Sequence, residues 1–415
     1  MTLSEELRWR GFINQSTIQN LSELDEKKLR FYHGYDASAD SLTIGNLAAV
    51  MMDKVFIRHG WHPVILAGGA TSLIGDPGGK DTERPLQSVE QVEANIAAVS
   101  EQIKSLFDTE VIFVNNLDWF KSMSVLEFMR DVGKHFSMTS LVQRDYIAKR
   151  IGEGGRGISY TEFSYTLLQG YDFLHLYREH DVVLQLAGSD QWGNSLSGVD
   201  LVRRVEGAEV NVLTCPLIIN KATGKKFGKS EDGAVWLDPA RTSVYSFYQF
   251  WLNIGDEGVE DYLKIFTELE KDQVDQIMQE FHSDRSGRGS QKTLAYEVTR
   301  LVHGQEAVDS IVRVTDVLFG SQDYGALQSN DFVALKQELP IIDTQVGEPV
   351  LKSLVEGGFF GSNSEARRFL DQGGLYVNGQ TLTDDRAWQS DDTIDGHHII
   401  VRRGKNNNAV VQLVA

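Results

Sequence analysis

A chain of 415 residues exceeds what one hydrophobic core usually organises, so two or three domains are expected, and a composition of 41% apolar and 10% aromatic residues excludes a mainly disordered chain. The net charge of −19 excludes a sequence-blind coat for nucleic acid, because most of the surface repels a phosphate backbone; the stretch from Val350 onward is nearly neutral, with seven Lys or Arg against eight Asp or Glu. The single cysteine, Cys215, excludes a disulfide framework and paired-cysteine zinc or redox sites. The N-terminus has no basic-then-apolar leader and no apolar run approaches about 18 residues, so the cytoplasm is the expected location and no membrane partner is expected.

The first half alternates two periodicities. Strand-like runs at Leu29–Tyr35, Pro63–Ala67, Val111–Val114 and Val182–Leu186 are separated by helical stretches such as Asn46–His59, Val89–Ile103 and Thr161–Tyr177. This order predicts an α/β domain, a Rossmann-like parallel sheet with helices on both faces and a ligand site at the carboxyl ends of its strands. After Trp236, apolar residues at spacings of three and four over Ser243–Leu252, Val259–Phe266, Lys271–Phe281 and Gln291–Val302 predict an all-α second domain. Ser321–Val346 is weakly periodic and reads as linking. From Val350 a small α+β unit follows, with Ser364 as a helix cap, Gly373–Gly374 as a stop, and strands at LYVNG and IIVRRG. The expected division is therefore 1–230, 231–330, a linker at 331–348, and 349–415.

Several literal motif matches carry no function. Gly152–Gly157 fits a dinucleotide-binding glycine pattern, but no strand leads into it and it reads as a surface loop. Neither Gly79–Lys80 nor Gly228–Lys229–Ser230 is a P-loop, since Ile74 and Thr223 stand where the first glycine belongs. His397–His398 reads as a solvated turn.

Four segments of the first half, and one loop, are polar or glycine-rich at strand ends and helix starts. In LRFYHGYDASADSLTIGN a strand turns into a helix near Gly45, whose lack of a side chain and helix N-terminus suit a phosphate-bearing ligand. AGGATSLIGDPGGKDTER supplies Asp76, Lys80 and Arg84 after a strand, a carboxylate beside two cations. Tyr165, Gln169 and Asp172, spaced by four and three, share one face of a helix and line a pocket. QLAGSDQWGN ends a strand in a glycine turn and offers an acid to ribose hydroxyls. Finally, GKKFGKS over Gly224–Ser230 places Lys226 and Lys229 around Phe227–Gly228 with the Ser230 hydroxyl, flexible point charges suited to a migrating pyrophosphate; alone, a basic hairpin turn is the simpler reading.

Together these residues resemble the bacterial tyrosyl-tRNA synthetases, class I aminoacyl-tRNA synthetases, over essentially the whole chain. LTIGN at Leu42–Asn46 is similar to the family's HIGH signature and KFGKS at Lys226–Ser230 to its KMSKS signature; GGATSLIGDP, ISYTEFSYTLLQGYDF, GSDQWGN and AVWLDP are close to family-typical runs. The resemblance implies activation of L-tyrosine by ATP with Mg²⁺ to tyrosyl-adenylate, followed by transfer to the 3′ end of tyrosine tRNA. No tightly bound metal or organic cofactor is expected. It further implies that Tyr32 and Asp172 bind the phenol, that Tyr165, Gln169 and Asp76 hold the ammonium group with Asp36 in the same pocket, and that Gln191 lies near the carboxylate and α-phosphate. Gly45, Gly188, Asp190 and Ser230 fall on the ATP side, and Thr43, Asn46, Lys80, Arg84, Lys226 and Lys229 around the phosphates. The helices after Trp236 resemble an anticodon-binding domain, the terminal unit resembles a small RNA-binding fold for the tRNA's long variable arm, and the family pattern is a homodimer with one tRNA lying across both subunits.

The chain departs from the family pattern at Thr43, where a histidine is usual, at Asn46, and at Ala187, where a glycine is usual. Two other readings remain open at this point: an RNA-binding paralogue that lost its chemistry through Thr43, and an enzyme of the same fold that activates tryptophan.

Overall fold

The computed structural model describes residues 1–75, 87–143, 145–152, 154–155, 157–221, 224, 227, 229–230, 233–319, 324–404 and 407–414. They fall into two compact units, Met1–Asp238 with Ile254–Ser290, and Pro239–Asn253 with Gln291–Ala415.

The first unit is built on β1 (Gln15–Ser16), β2 (Arg30–Tyr35), β3 (His62–Ala67), β4 (Ile112–Asn115), β5 (Val182–Gly188) and β6 (Asn211–Cys215), in the order β1-β6-β5-β2-β3-β4. All neighbours are parallel except β1 with β6. The near-continuous apolar runs VVLQLAG and HPVILA suit strands covered on both faces. Their connections reverse direction between β2 and β5, which opens a crevice at the carboxyl ends of that pair. Tyr160–His180 is entered through a capping box in which Ser159 and Glu162 exchange hydrogen bonds, and Arg150 pairs with Glu162 at 3.0 Å. A short hairpin, β7 (Lys229–Ser230) with β8 (Gly233–Ala234), follows the sheet.

Two helices expected in the separate helical domain, Val259–Phe266 and Lys271–Ser283, belong to this first unit. The buried Arg10 guanidinium holds the end of the first of them by donating to the carbonyls of Lys264 (2.6 Å), Thr267 (2.8 Å) and Leu269 (2.9 Å), while Glu6 accepts from Arg10 at 2.7 Å. A cation on the unpaired carbonyls at a helix C-terminus satisfies groups that the helix itself leaves open. Periodicity shows that a helix has an apolar face; it does not say which partner covers it.

The second unit contains the helices Val244–Leu252, Gln305–Phe319 and Asp331–Glu338 and a sheet of β9 (Ile341–Thr344), β10 (Leu375–Val377), β11 (Gln380–Thr381), β12 (His398–Arg403) and β13 (Asn407–Leu413), ordered β11-β10-β12-β13-β9. The expected linker at 331–348 is instead structured, carrying a helix and an edge strand, β9, that pairs in parallel with β13 from Ile341↔Val410 to Thr344↔Leu413. Four residues are too few to display a period, which is why the strand was hidden. Ile400 and Val410 of the sheet share a core with Val314, Leu318, Phe332 and Leu335 of the helices. The helix Asn363–Asp371 is capped by Ser362, which accepts from the Glu365 N–H, rather than by Ser364. His398 is not solvated: it stacks on Phe332 at 4.4 Å and its Nδ1 lies 2.8 Å from Asp395.

Candidate functional site

The crevice between β2 and β5 is a cavity of about 510 Å³. It is lined, among others, by Tyr32, Asp36, Thr43, Gly45, Asn46, Tyr165, Gln169, Asp172, Gly188, Asp190 and Gln191, so segments distant in sequence converge on one cavity.

One wall is enclosed and braced. Tyr32 sits on β2 with its ring edge-on to Phe173 at 5.1 Å, and its buried hydroxyl has no hydrogen-bond partner among the described residues. Asp172 is equally buried; its two carboxylate oxygens accept from Asn116 Nδ2 (3.1 Å) and Trp119 Nε1 (3.0 Å). Burial pushes the Asp172 carboxyl up to about 7 even against those two bonds, and burial, helped by the Asp172 charge, raises the Tyr32 phenol well above its ordinary value. Asp36 accepts from Thr71 Oγ1 (2.9 Å) and from Tyr165 Oη (2.8 Å), which fixes the carboxylate between two helices. A methyl group at Gly68 would lie 2.3 Å from Asp36 Oδ1 and 2.4 Å from Thr71 Oγ1, so this close approach requires glycine. The buried Gln169 Oε1 and Gln185 Oε1 likewise have no partner among the described residues.

The other wall is open and built from backbone. The helix Ile44–Arg58 starts at the cavity, and Asn46 Oδ1 accepts from the Thr43 N–H (3.0 Å) and from Thr43 Oγ1 (2.8 Å). Thr43 therefore spends its hydroxyl proton on positioning Asn46. The same segment is bridged to the chain after the β7–β8 hairpin, Ile44 N–H to Val235 O at 3.0 Å and Leu237 N–H to Leu42 O at 2.9 Å, which ties the two signature segments together. Phe227 anchors the basic loop, buried and stacked on Tyr262 (4.4 Å) and Phe266 (5.5 Å). Across the cavity, a methyl group at Gly188 would lie 2.6 Å from Asp190 Oδ1. Gln191 Oε1 accepts from Asn194 Nδ2 at 3.2 Å.

Asp76, Lys80, Arg84 and Lys226 lie outside the described residues, and of Lys229 and Ser230 only the backbone is described. Sequence reasoning missed Thr71, Asn116 and Trp119, which hold the two carboxylates. Asn116 and Trp119 follow β4 directly and so lie at a strand's carboxyl end, a position that could have flagged them.

A family model described as tRNA synthetases class I (W and Y) matches residues 24–320, and one described as tyrosine–tRNA ligase SYY-like C-terminal domain matches residues 331–411. The chain is 44% identical to tyrosine–tRNA ligase 2 of Bacillus cereus over 423 aligned residues, covering 100% of both, and 43% identical to tyrosine–tRNA ligase of Latilactobacillus sakei, covering 97% of this chain and 96% of that one. Among solved structures, a C-terminally truncated mitochondrial tyrosyl-tRNA synthetase of Aspergillus nidulans aligns at TM-score 0.70 and 30% identity, over 77% of this chain and 94% of that one. A tryptophanyl-tRNA synthetase of Encephalitozoon cuniculi aligns at TM-score 0.54 and 13% identity, over 80% and 91% respectively, a likeness of fold alone.

Proposed function

The chain belongs to the bacterial tyrosine–tRNA ligases of class I, ATP-dependent enzymes that charge tyrosine tRNA, and from that premise we propose that the enclosed wall of its cavity selects tyrosine while the open wall handles ATP. The observation that carries this reading is the buried Tyr32 hydroxyl beside the buried Asp172 carboxylate. A phenolic O–H satisfies both at once, donating to the carboxylate and pairing with Tyr32. Phenylalanine would leave the Tyr32 hydroxyl buried and unpaired and bring no donor to Asp172 beyond Asn116 and Trp119, and an indole has no hydroxyl to serve both groups. Gln169 and Asp36, with Tyr165, are acceptors suited to the substrate ammonium, and by family position Asp76 joins them.

The tyrosine carboxylate then attacks the ATP α-phosphorus; the new bond is the mixed anhydride of tyrosyl-adenylate and the bond broken is the one to the leaving pyrophosphate. Positioning and charge stabilisation supply the rate. The N-terminus of the helix Ile44–Arg58 offers backbone N–H groups to the phosphates, with Gly45 allowing close approach. Asn46 donates through its amide, Gln191 lies near the reacting carboxylate, Gly188 and Asp190 take the ribose, and Lys80, Arg84, Lys226, Lys229 and Ser230 surround the triphosphate. Mg²⁺ arrives with ATP, whose phosphates supply much of its oxygen coordination. A terminal ribose hydroxyl of the tRNA next attacks the tyrosyl carbonyl and releases AMP.

A homodimer is supported by exposed apolar residues, Val125, Leu126, Met129, Met138 and Tyr160, with Tyr160 Oη 3.9 Å from Met129 Sδ. RNA binding by the C-terminal unit is supported by its match, over residues 331–411, to the C-terminal domain of tyrosine–tRNA ligases. Among the described residues no helix is long and apolar enough to cross a membrane, and the cytoplasm is the proposed location.

The deciding experiment is tyrosine-dependent exchange of labelled pyrophosphate into ATP, run beside phenylalanine and tryptophan. Exchange with tyrosine alone is expected; equal rates with all three would sink the pocket assignment.

A further inference from the structure

The helix Val89–Leu106 carries none of the residues assigned to substrate, yet it and its lead-in grip the connection between β2 and the helix Ile44–Arg58 at three points. Before the helix, Gln87 Nε2 donates to the Ser38 carbonyl at 3.1 Å. Within it, the buried Asn95 accepts from Gln91 at 2.9 Å and donates to the Ala37 carbonyl at 2.9 Å. Seven residues later, and so two turns further along the same face, Gln102 meets Ser41 and Leu42. Val92, Val99, Ile103 and Leu106 are buried, which makes the helix a fixed mount.

The grip at Gln102 is the most complete of the three. The Leu42 N–H donates to Gln102 Oε1 at 2.8 Å; a backbone N–H can only donate, so this bond identifies the oxygen and turns Nε2 to Ser41 Oγ, to which it donates at 3.0 Å. The buried Ser41 hydroxyl also accepts from the Asp238 N–H at 3.2 Å and gives its own proton to the Leu42 carbonyl at 3.0 Å, which fills its one donor and two acceptor positions. That carbonyl accepts from the Leu237 N–H at 2.9 Å as well. Leu42 is thus held at both its N–H and its carbonyl, immediately before the extended Thr43 from which the helix Ile44–Arg58 starts. Ser41, Leu42 and Thr43 all line the cavity.

We propose that Gln102 is a positioning residue for the ATP step: acting through Leu42 and Ser41, it fixes the entry to the helix Ile44–Arg58 so that the helix N-terminus meets the nucleotide phosphates in a single orientation. This rests on the assignment of the nucleotide to the open wall. A glutamine that only stabilised the fold would change the folded fraction of a variant and leave the affinity for ATP alone.

Pyrophosphate exchange on the full chain, with ATP and tyrosine varied in turn, tests it through the two Michaelis constants, which do not depend on the folded fraction. Gln102→Leu removes both bonds at similar size and leaves the Leu42 N–H without this acceptor. KM for ATP is then expected to rise about three- to tenfold, the effect of one hydrogen bond carried to the phosphates, with KM for tyrosine within roughly twofold of the unchanged value. Gln102→Glu keeps an acceptor for the Leu42 N–H and can take the Ser41 proton, so KM for ATP is expected to return to within roughly twofold of the unchanged value. Ser41→Ala retains the bond from Leu42 to Gln102 and is expected to fall between the two. An unaltered KM for ATP in Gln102→Leu, an equal rise in both constants, or no recovery in Gln102→Glu overturns the proposal while leaving the ligase reading intact. Absence of tyrosine-dependent exchange by the unchanged chain would overturn that reading and the proposal with it.

Discussion

The two walls of the cavity solve different problems with different materials. The wall proposed for tyrosine is a set of buried and half-buried side chains, each held by another: Asp172 by Asn116 and Trp119, Asp36 by Thr71 and Tyr165. The nucleotide wall is mostly main chain, a helix N-terminus and a hairpin joined by two backbone hydrogen bonds. Selecting one amino acid requires a rigid, desolvated template in which a missing hydroxyl is costly. Handling a polyanion that must break and leave requires charge delivered by groups that do not stay buried with it. On the proposed assignment the same molecule is stiff where it discriminates and open where it reacts.

The sharpest way to break this contrast is at the basic loop. Lys229→Ala is expected to lower kcat for pyrophosphate exchange by roughly hundred- to thousandfold, the scale for losing one donor to developing charge, while KM for tyrosine hardly moves. A rise in tyrosine KM of similar size would erase the division of labour.

Asp172→Asn is next, with an expected loss of about ten- to hundredfold in kcat/KM for tyrosine, since the lost bond is to a charged acceptor. Because burial lifts the Asp172 carboxyl to about 7, kcat/KM for tyrosine in the unchanged chain is expected to fall as pH drops through that value, and the variant's profile to lose this step. The stability sign runs the other way. A folded-state value above the ordinary one means that the stabilisation from the protonated form is present at low pH and is lost as pH rises through about 7. Thermal melts should accordingly show Asp172→Asn gaining on the unchanged chain from about pH 4 up to about pH 7 and no further above it. A gain that is flat with pH would refute the assignment of the raised carboxyl.

A smaller effect separates bracing from contact. Gly68→Ala forces a methyl group against Asp36 and Thr71, and is expected to cost about 1–3 kcal/mol in unfolding by denaturant and to raise KM for tyrosine more than KM for ATP. Equal changes in both would show that the walls share their supports. The smallest effect on chemistry is expected from Leu126→Glu, which lies in neither wall: sedimentation should show a dimer for the unchanged chain, as proposed, and a monomer for the variant, with exchange activity retained. An unchanged sedimentation coefficient would remove the dimer assignment from this surface.

The contrast also explains what the sequence disclosed. The parallel sheet was legible because its strands are buried on both faces and read as apolar runs, and Tyr165, Gln169 and Asp172 were legible because polar residues spaced by three and four on an otherwise apolar helix stand out. Asn116 and Trp119 were not, because a residue that orients a carboxylate from another segment leaves no spacing signal. The same limit hid β9, whose partner lies more than sixty residues away in sequence, and the attachment of the helices Val259–Phe266 and Lys271–Ser283, which depends on Arg10. Thr43, placed among the residues around the phosphates at a position where a histidine is usual, has its hydroxyl engaged with Asn46, a local bond that spacing permits but does not reveal.

The bridge between Thr43 and Trp236 spans 193 residues of chain, whereas the described residues assigned to tyrosine selection are all present once Gln191 has been made. As the chain leaves the ribosome, then, the residues proposed to recognise the amino acid are made before the clasp across the proposed nucleotide wall can form. An incomplete chain ending short of Trp236 lacks the backbone clasp between the segment at Leu42–Ile44 and the chain that follows the basic loop.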